Sequence, residues 1–125
     1  MLINDPVALA GLAQAFAEYE KALVTNDIAT LDRLFWNSPH TLRYGVGENL
    51  YGFDAIQEFR NGRPAHNLAR TVTRSALCTF GADYGVANIE FVRAGSERIG
   101  RQSQSWVRLE EGWRVVAAHV SLMAG

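Results

Sequence analysis

Tyr19 conflicts with the pattern of its own segment, in which apolar residues recur at alternating steps of three and four. It lies on the stripe formed by Leu12, Phe16 and Leu23, so we expect its ring to be buried against a core. A buried phenol needs a hydrogen-bond partner or a polar cavity to face. Two interpretations follow: a core tyrosine bonded to a backbone carbonyl, or a proton donor that faces a cavity.

Arg43 is the second such residue, a cation in the middle of a short strand-like segment, HTLRYG (40–45). Side chains alternate along a strand, so Thr41 and Arg43 share one face while Leu42 and Tyr44 share the other. Alternation does not show whether the polar face meets bulk water or a hollow. Arg43 is either an exposed arginine on an edge strand or a guanidinium that binds a carboxylate through its planar fork.

Further polar residues later in the sequence are candidates for the same site. Arg60 and Arg63 close a predicted helix, where the helix dipole favours a cation; with Arg43 they also suit an anion-binding mouth. In GRQSQSW (100–106), alternation places two amides and an indole on one face, which predicts a polar pocket wall. The candidate substrate-binding residues are Arg60, Arg63, Gln104, Trp36 and His119.

Other kinds of chemistry find little support in the residue spacing. His119 and Ser121 share a strand face, but no acidic residue is spaced to orient the histidine as in a catalytic triad. Cys78 lies in an apolar strand without an adjacent cation, which is typical of an inert thiol. His40, His66 and His119 are scattered, and no glycine-rich phosphate loop follows a strand. We therefore expect neither a metal nor another cofactor.

The elements that must position these residues follow from periodicity and turn signals. Helices are predicted over 6–25, 27–36 and 52–63, and a hairpin of two short strands turns at 45–47. Four longer strands follow, over 69–80, 84–95, 97–110 and 112–123, with hairpin turns between them. Helices followed by an antiparallel meander predict an α+β fold, with helices covering one face of a curved, mostly antiparallel sheet and closing a pocket.

The composition is that of one soluble globular domain over residues 1–125. The chain of 125 residues is 48% hydrophobic and 20% charged, with a formal net charge of -1. This charge argues against a nucleic-acid-binding protein, which would carry a basic excess. One cysteine fits a reducing compartment, and no apolar run approaches the roughly 20 residues of a membrane span, so we expect a cytoplasmic protein.

Several blocks of sequence are similar to a known family. The order of elements, ending in GWRVVAAHVS (112–121), resembles the cone-shaped SnoaL-like, nuclear transport factor 2-like superfamily. The blocks TLRYG (41–45), GENLYG (47–52) and GRQSQSWVR (100–108) more narrowly resemble the AtzH-like family, which includes proteins named for oxalurate catabolism (HpxZ). The resemblance covers nearly the whole chain.

This resemblance implies a function and a pair of site residues. It implies chemistry on small carboxylated ureas in nitrogen catabolism, with loss of CO2 and ammonia from a dicarboxyurea-type substrate. The family's tyrosine in the first helix and arginine in the following strand fall on Tyr19 and Arg43. An aspartate base, which steroid-isomerase-like relatives need, has no clear candidate here. The alternative is a non-catalytic, carboxylate-binding or accessory protein of an amidase or oxalurate pathway, and in either case we expect a homodimer.

Overall fold

The computed structural model describes residues 1–64 and 68–125, and within them three helices precede most of the sheet. The helices are α1 (Pro6–Val24), α2 (Ile28–Leu34) and α3 (Phe53–Gly62). The strands are β1 (Leu42–Tyr44), β2 (Asn49–Tyr51), β3 (Thr71–Phe80), β4 (Tyr84–Val92), β5 (Gly100–Leu109) and β6 (Gly112–Leu122). Each predicted element is present with ends shifted by a few residues. His66, one of the three scattered histidines from which no metal site is expected, lies outside the described residues.

Local capping explains where the helices begin. The carboxylate of Asp5 accepts a hydrogen bond of 3.0 Å from the backbone N–H of Ala8, and Pro6 occupies the first helical position of α1. Asp27 caps α2 by accepting hydrogen bonds from the backbone N–H and the hydroxyl of Thr30. Before α3 the chain turns at Gly52 with a φ of 89°, a left-handed conformation that glycine adopts without steric cost.

The six strands form one sheet in the order β2-β1-β6-β5-β4-β3. Neighbouring strands are antiparallel except for β1 and β6, which pair in parallel. This parallel pair brings the short hairpin that carries Arg43 beside the last strand of the chain. The arrangement confirms the predicted α+β fold, with three helices packed on a curved, mostly antiparallel sheet.

The core lies between the helices and the inner face of the sheet. On β5 the side chains of Gln102, Gln104 and Trp106 are buried against it, while Arg101 and Ser103 are exposed on the outer face. This confirms the face predicted from alternation in GRQSQSW. In the part of the chain that the structure describes, no helix is long and apolar enough to span a membrane.

A bulge in β6 changes which of its side chains face the core. Ser105 pairs with Ala117 and the next residue, Trp106, pairs with Val115, so Val116 is an extra residue in β6. Trp113 and Val115 are buried before the bulge, and Ala118 and Val120 are buried after it. The side chains that face the core are therefore at odd positions before Val116 and at even positions after it. One inserted residue reverses the face of every later side chain in the strand.

The Phe91 ring lies directly over Gly100, its partner on the neighbouring strand. A methyl group at this position would overlap the ring and force it to move. The guanidinium groups of Arg70 and Arg93, which stack on the ring, would have to move with it. We expect Gly100→Ala to lower the free energy of unfolding by about 1–3 kcal/mol, as overpacking in a core does. Chemical denaturation followed by circular dichroism measures this change.

Gly47→Ala is the matched control, because a Cβ at Gly47 would meet no atom within 4 Å. Its effect should stay within about 0.5 kcal/mol, as for other surface substitutions. Equal effects at Gly47 and Gly100 would show that the Phe91 ring does not need the space above Gly100.

Candidate active site

Tyr19 lies in the core, where its ring is held by three aromatic side chains. The residue is 5% exposed, and ring centroids lie 6.3 Å away for Phe16, 6.2 Å for Phe35 and 6.4 Å for Trp106. Phe16 lies in α1, Phe35 directly follows α2, and Trp106 lies in β5. Packing on several sides restricts the ring to one orientation, which is what a positioned proton donor requires.

Arg43 belongs to the inner face of the sheet. It lies in a row of register partners that crosses four strands. From β1 to β4 this row consists of Arg43, Ala118, Gln104 and Ala87, and the last three are buried. Residues opposite one another on neighbouring strands point to the same side. The guanidinium also lies 5.7 Å from the centroid of the Phe59 ring of α3. Arg43 is thus directed between sheet and helices, and the small alanines on both sides of Gln104 leave room there.

Five arginines converge on this interior, and four of them lie over aromatic rings. The distance from guanidinium carbon to ring centroid is 5.7 Å for Arg43 and Phe59 and 4.7 Å for Arg60 and Phe35. Arg70 and Arg93 both lie over the ring of Phe91, at 4.4 and 5.0 Å. The fifth is Arg63. A guanidinium on an aromatic face keeps its donors free at its edge, where a planar anion can bind.

Two of the five arginines already have carboxylate partners. Arg60, 4% exposed, donates to Asp32 at 2.6 Å, and Asp32 also accepts a hydrogen bond of 3.0 Å from Gln57. Arg70 pairs with Glu20, the residue next to Tyr19. These ion pairs fix α2 against α3 and α1 against the start of β3. Arg60, a predicted substrate-binding residue, is held by this ion pair with Asp32.

Arg43 and Arg63 retain buried donors that nothing in residues 1–64 and 68–125 satisfies. These are Nη1 of Arg43 and Nε and Nη2 of Arg63. Burial lowers the pKa of Arg63 from its ordinary value, the positive charges of Arg60 and Arg43 lower it further, and Tyr19 and Glu48 oppose the change. Burial likewise lowers the pKa of Arg60, whose surroundings include Tyr19, Asp32 and Arg43. Tyr19, Arg43, Arg60 and Arg63 therefore lie close enough for their charges to interact.

Gln104 contributes an oriented amide to the same face. Its Oε1 accepts a hydrogen bond of 3.0 Å from the indole N–H of Trp106, and an indole can only donate. The amide nitrogen therefore faces away from the indole, buried and without a partner in the described parts of the chain. Gln104 thus presents N–H donors, as Arg43 does, in the same row of the sheet, with Ala118 between the two residues.

An open cavity of about 640 Å³ lies beside α3 and is lined by Leu50, Phe59 and Arg63, among others. Leu50 is the register partner of Arg43 on β2, and Phe59 is the ring beneath the Arg43 guanidinium. The cavity is therefore lined by Arg63 itself and by two neighbours of Arg43. Tyr19 does not line this cavity and is buried in the core.

Two predicted site residues lie elsewhere. His119 is exposed on the outer face of the sheet, where it contacts the Tyr44 ring with a centroid distance of 5.6 Å. The bulge at Val116 reverses the face of His119, so its expected place in the pocket is wrong. Trp36 is half-buried and stacks on the exposed His40 at 6.2 Å, at the surface. Neither takes part in the cationic interior.

Sequence reasoning missed the interior positions of Arg70, Arg93 and Asp32. Arg93 continues the buried alternation of Ala87, Ile89 and Phe91 on β4, so the period of two could have revealed it. Arg70 and Asp32 had no such signal, since their burial comes from ion pairs with residues distant in sequence.

The Arg60–Asp32 ion pair provides a stability prediction. Removing one partner leaves the other charge buried and unpaired, so we expect Asp32→Ala to lower the free energy of unfolding by about 3–5 kcal/mol. Glu18→Ala is the control, because the Arg33–Glu18 pair is roughly half exposed and such pairs contribute only about 0–1 kcal/mol. Urea denaturation compares the two variants, and similar small losses would show that the Arg60 charge is solvated.

The fold and the site define a class of protein: a cone-shaped, nuclear transport factor 2-like or cystatin-like α+β domain with an arginine-rich interior. A cystatin-like fold protein from Burkholderia xenovorans is 42% identical, with a TM-score of 0.95 over 100% of this chain and 98% of that chain. A nuclear transport factor 2-like superfamily protein from Salmonella enterica, 23% identical, has a TM-score of 0.77 over 96% of this chain and 94% of that chain. This second likeness shows the fold alone.

The chain belongs to the AtzH-like family, whose model matches residues 1–125. A structure of a protein with unknown function from the DUF3225 family of Pectobacterium atrosepticum is 52% identical, with a TM-score of 0.96 over 98% of this chain and 95% of that chain. No curated protein matches the chain. Family and fold suggest a small-molecule enzyme or binding protein.

Proposed function

We propose that the protein is an enzyme of nitrogen catabolism that removes the carboxylate from a small carboxylated urea or ureido acid. The observation that carries this proposal is a group of buried guanidinium donors on Arg43 and Arg63, near the packed ring of Tyr19, that have no acceptor among residues 1–64 and 68–125. Buried donors without acceptors are costly in free energy, and a bound carboxylate would supply the missing acceptors. The site is thus suited to a small anion whose adjacent atoms face a phenol.

In the proposed reaction, Arg43 and Arg63 hold the carboxylate of an N-carboxylated urea. The bond between the carboxylate carbon and the nitrogen breaks, and its electron pair passes to the nitrogen as CO2 leaves. The Tyr19 hydroxyl gives its proton to that nitrogen, which avoids a urea anion. The oxygen of Tyr19 becomes negative while Arg60 and Arg63 lie nearby, and their charges stabilise it until water returns the proton.

The amide of Gln104 completes the proposed substrate contacts. Its free N–H groups suit a urea carbonyl oxygen, which accepts hydrogen bonds and cannot donate them. Arg60 acts through its ion pair with Asp32, which holds it beside Tyr19. No residue outside this group is needed for the proposed step.

Incubation of the purified protein with N-carboxylated ureas, including a dicarboxyurea, tests this function. We expect release of CO2 above the spontaneous rate, and release of ammonia where the product decomposes further. If these compounds bind but do not react, the protein is a carboxylate-binding or accessory protein. If they do not bind, the proposed anion site is wrong. The expectation of a homodimer, formed through the outer face of the sheet, stays a prediction.

A further inference from the structure

Glu48 is a half-buried carboxylate that the proposed reaction does not use. Its Oε2 is buried, and no residue in the ranges 1–64 and 68–125 donates a hydrogen bond to it. A buried acceptor without a donor costs free energy, as a buried donor without an acceptor does. Glu48 therefore differs from Asp32 and Glu20, which pair with Arg60 and Arg70.

The hairpin of β1 and β2 places Glu48 on the side of the sheet that Arg43 faces. Arg43 pairs in register with Leu50, and two residues further along the hairpin the backbone N–H of Gly45 donates a hydrogen bond of 2.9 Å to the carbonyl of Glu48. Side chains two residues apart on a strand point to the same side, about 7 Å from each other along the strand. Glu48 therefore shares the inner face with Leu50 and Arg43, at a distance that a small ligand can bridge.

Gly45 gives the Glu48 carboxylate its place on the hairpin. A Cβ at Gly45 would overlap this carboxylate, which therefore occupies the space that a side chain at position 45 would fill. In the same turn, a Cβ at Gly47 would meet no atom within 4 Å. The missing side chain at Gly45 thus allows the carboxylate to lie close over the backbone, beside the position of Arg43.

The charge of Glu48 acts on Arg63, the second arginine of the proposed carboxylate site. Burial and the charges of Arg60 and Arg43 lower the pKa of Arg63, and the negative charge of Glu48 opposes this change. The two side chains lie near each other without a direct bond: Nε and Nη2 of Arg63 and Oε2 of Glu48 all lack partners within the described residues. Donors for a carboxylate and an acceptor for a donor group therefore lie at the same end of the sheet.

We infer that the Glu48 carboxylate accepts a hydrogen bond from a substrate N–H group, so that the site selects ureido acids and amides over carboxylic acids of the same shape that lack this donor. This inference rests on the proposed function, in which Arg43 and Arg63 hold the substrate carboxylate. Guanidinium groups and the amide nitrogen of Gln104 only donate, so they leave the N–H groups of a urea without an acceptor. Glu48 supplies that acceptor and determines specificity, without a part in breaking the bond.

Isothermal titration calorimetry on the full chain tests this inference with two pairs of ligands. N-carbamoylglycine and N-acetylglycine have nearly the same shape and charge, and differ in that an NH2 group replaces a CH3 group. Oxamate and pyruvate form a shorter pair with the same difference. We expect wild-type protein to bind at least one N–H ligand about tenfold or more tightly than its methyl partner, because a hydrogen bond to a charged group is gained.

Two substitutions at Glu48 separate the loss of the acceptor from the loss of the charge. Glu48→Met removes both oxygens and should reduce the preference to about twofold or less. It should not weaken binding of N-acetylglycine, because a negative charge near Arg63 has been removed. Glu48→Gln keeps a neutral oxygen acceptor and should retain part of the preference. A purely structural role of Glu48 would instead lower the affinity for both members of a pair equally.

Gly45→Ala retains the carboxylate of Glu48 but displaces it, and should reduce the preference as Glu48→Met does. Gly47→Ala, in the same turn, is the matched control and should leave the preference unchanged. Glu58→Gln is the control for charge, because Glu58 is an exposed carboxylate that lines the cavity beside α3. It too should leave the preference unchanged. Circular dichroism and the melting temperature establish that each variant folds.

The outcomes separate this inference from the proposed function. Equal binding of both members of each pair, or a preference that Glu48→Met or Gly45→Ala keeps, overturns the role of Glu48 while the carboxylate site of Arg43 and Arg63 stands. Absence of binding by all four ligands overturns both. A preference that Glu48→Met removes, without turnover of carboxylated ureas, supports the role of Glu48 and overturns the enzymatic function.

Discussion

Tyr19→Phe should lower the rate of CO2 release from a carboxylated urea by about 10²–10⁴-fold, the usual contribution of a general acid. The substitution removes only the hydroxyl, while the ring keeps its contacts with Phe16, Phe35 and Trp106. Substrate affinity should therefore change little, because Arg43 and Arg63 still bind the carboxylate. Single-turnover kinetics separates the rate of the chemical step from binding.

Tyr51→Phe is the control for Tyr19→Phe. Tyr51 is 63% exposed on the outer face of the sheet, with its hydroxyl 3.2 Å from that of Tyr44. Loss of this exposed hydroxyl should not change the rate. If Tyr19→Phe reacts as fast as wild type, Tyr19 is a core residue and the proton comes from water or from another group.

Arg43→Gln should have opposite effects on binding and stability. Loss of charge-assisted hydrogen bonds worth about 1.5–3 kcal/mol should weaken carboxylate binding roughly 10- to 100-fold and reduce turnover at low substrate concentration. Without ligand, the substitution removes a buried donor that has no acceptor in the described part of the chain, and it relieves repulsion from Arg60, Arg63 and Arg93. The free energy of unfolding should therefore rise by about 1 kcal/mol. Calorimetric titration and urea denaturation measure the two quantities.

The opposite signs distinguish a binding residue from a structural one. Arg101→Gln, on the outer face, should change neither quantity appreciably. A loss of stability in Arg43→Gln comparable with that of Asp32→Ala would indicate that Arg43 stabilises the fold through partners of its own. In that case the carboxylate clamp would need another residue.

Burial of Tyr19 could be predicted because it depends on one helix. Its position follows from the period of apolar residues in α1, and Asp5 and Pro6 mark where that helix begins. The face of Gln104 followed equally from alternation in β5, whose strand is regular up to Ser105. Such signals are local, so a single segment contains them.

The inward direction of Arg43 could not be predicted in this way. Alternation separates Arg43 from Leu42 and Tyr44, but only pairing with Ala118 of β6, more than seventy residues later, shows which side is the core. The outward direction of His119 could not be predicted either. The extra residue Val116 reverses its face, and the residues of β6 around Val116 are apolar, so the sequence does not mark the bulge.

The sequence by itself therefore determined the elements, their order, the family and the two residues that conflict with their surroundings. Helix caps, apolar periods and turn residues act over a few positions, and one segment is enough to read them. Only the tertiary structure decided which arginines are neutralised. Asp32 and Glu20 reach Arg60 and Arg70 across the fold, while Arg43, Arg63 and Arg93 keep donors that no described residue satisfies. Burial raises the free-energy cost of every unpaired charge, so charge balance inside a core depends on the distances between charged residues of different segments. Those distances exist only once the chain has folded.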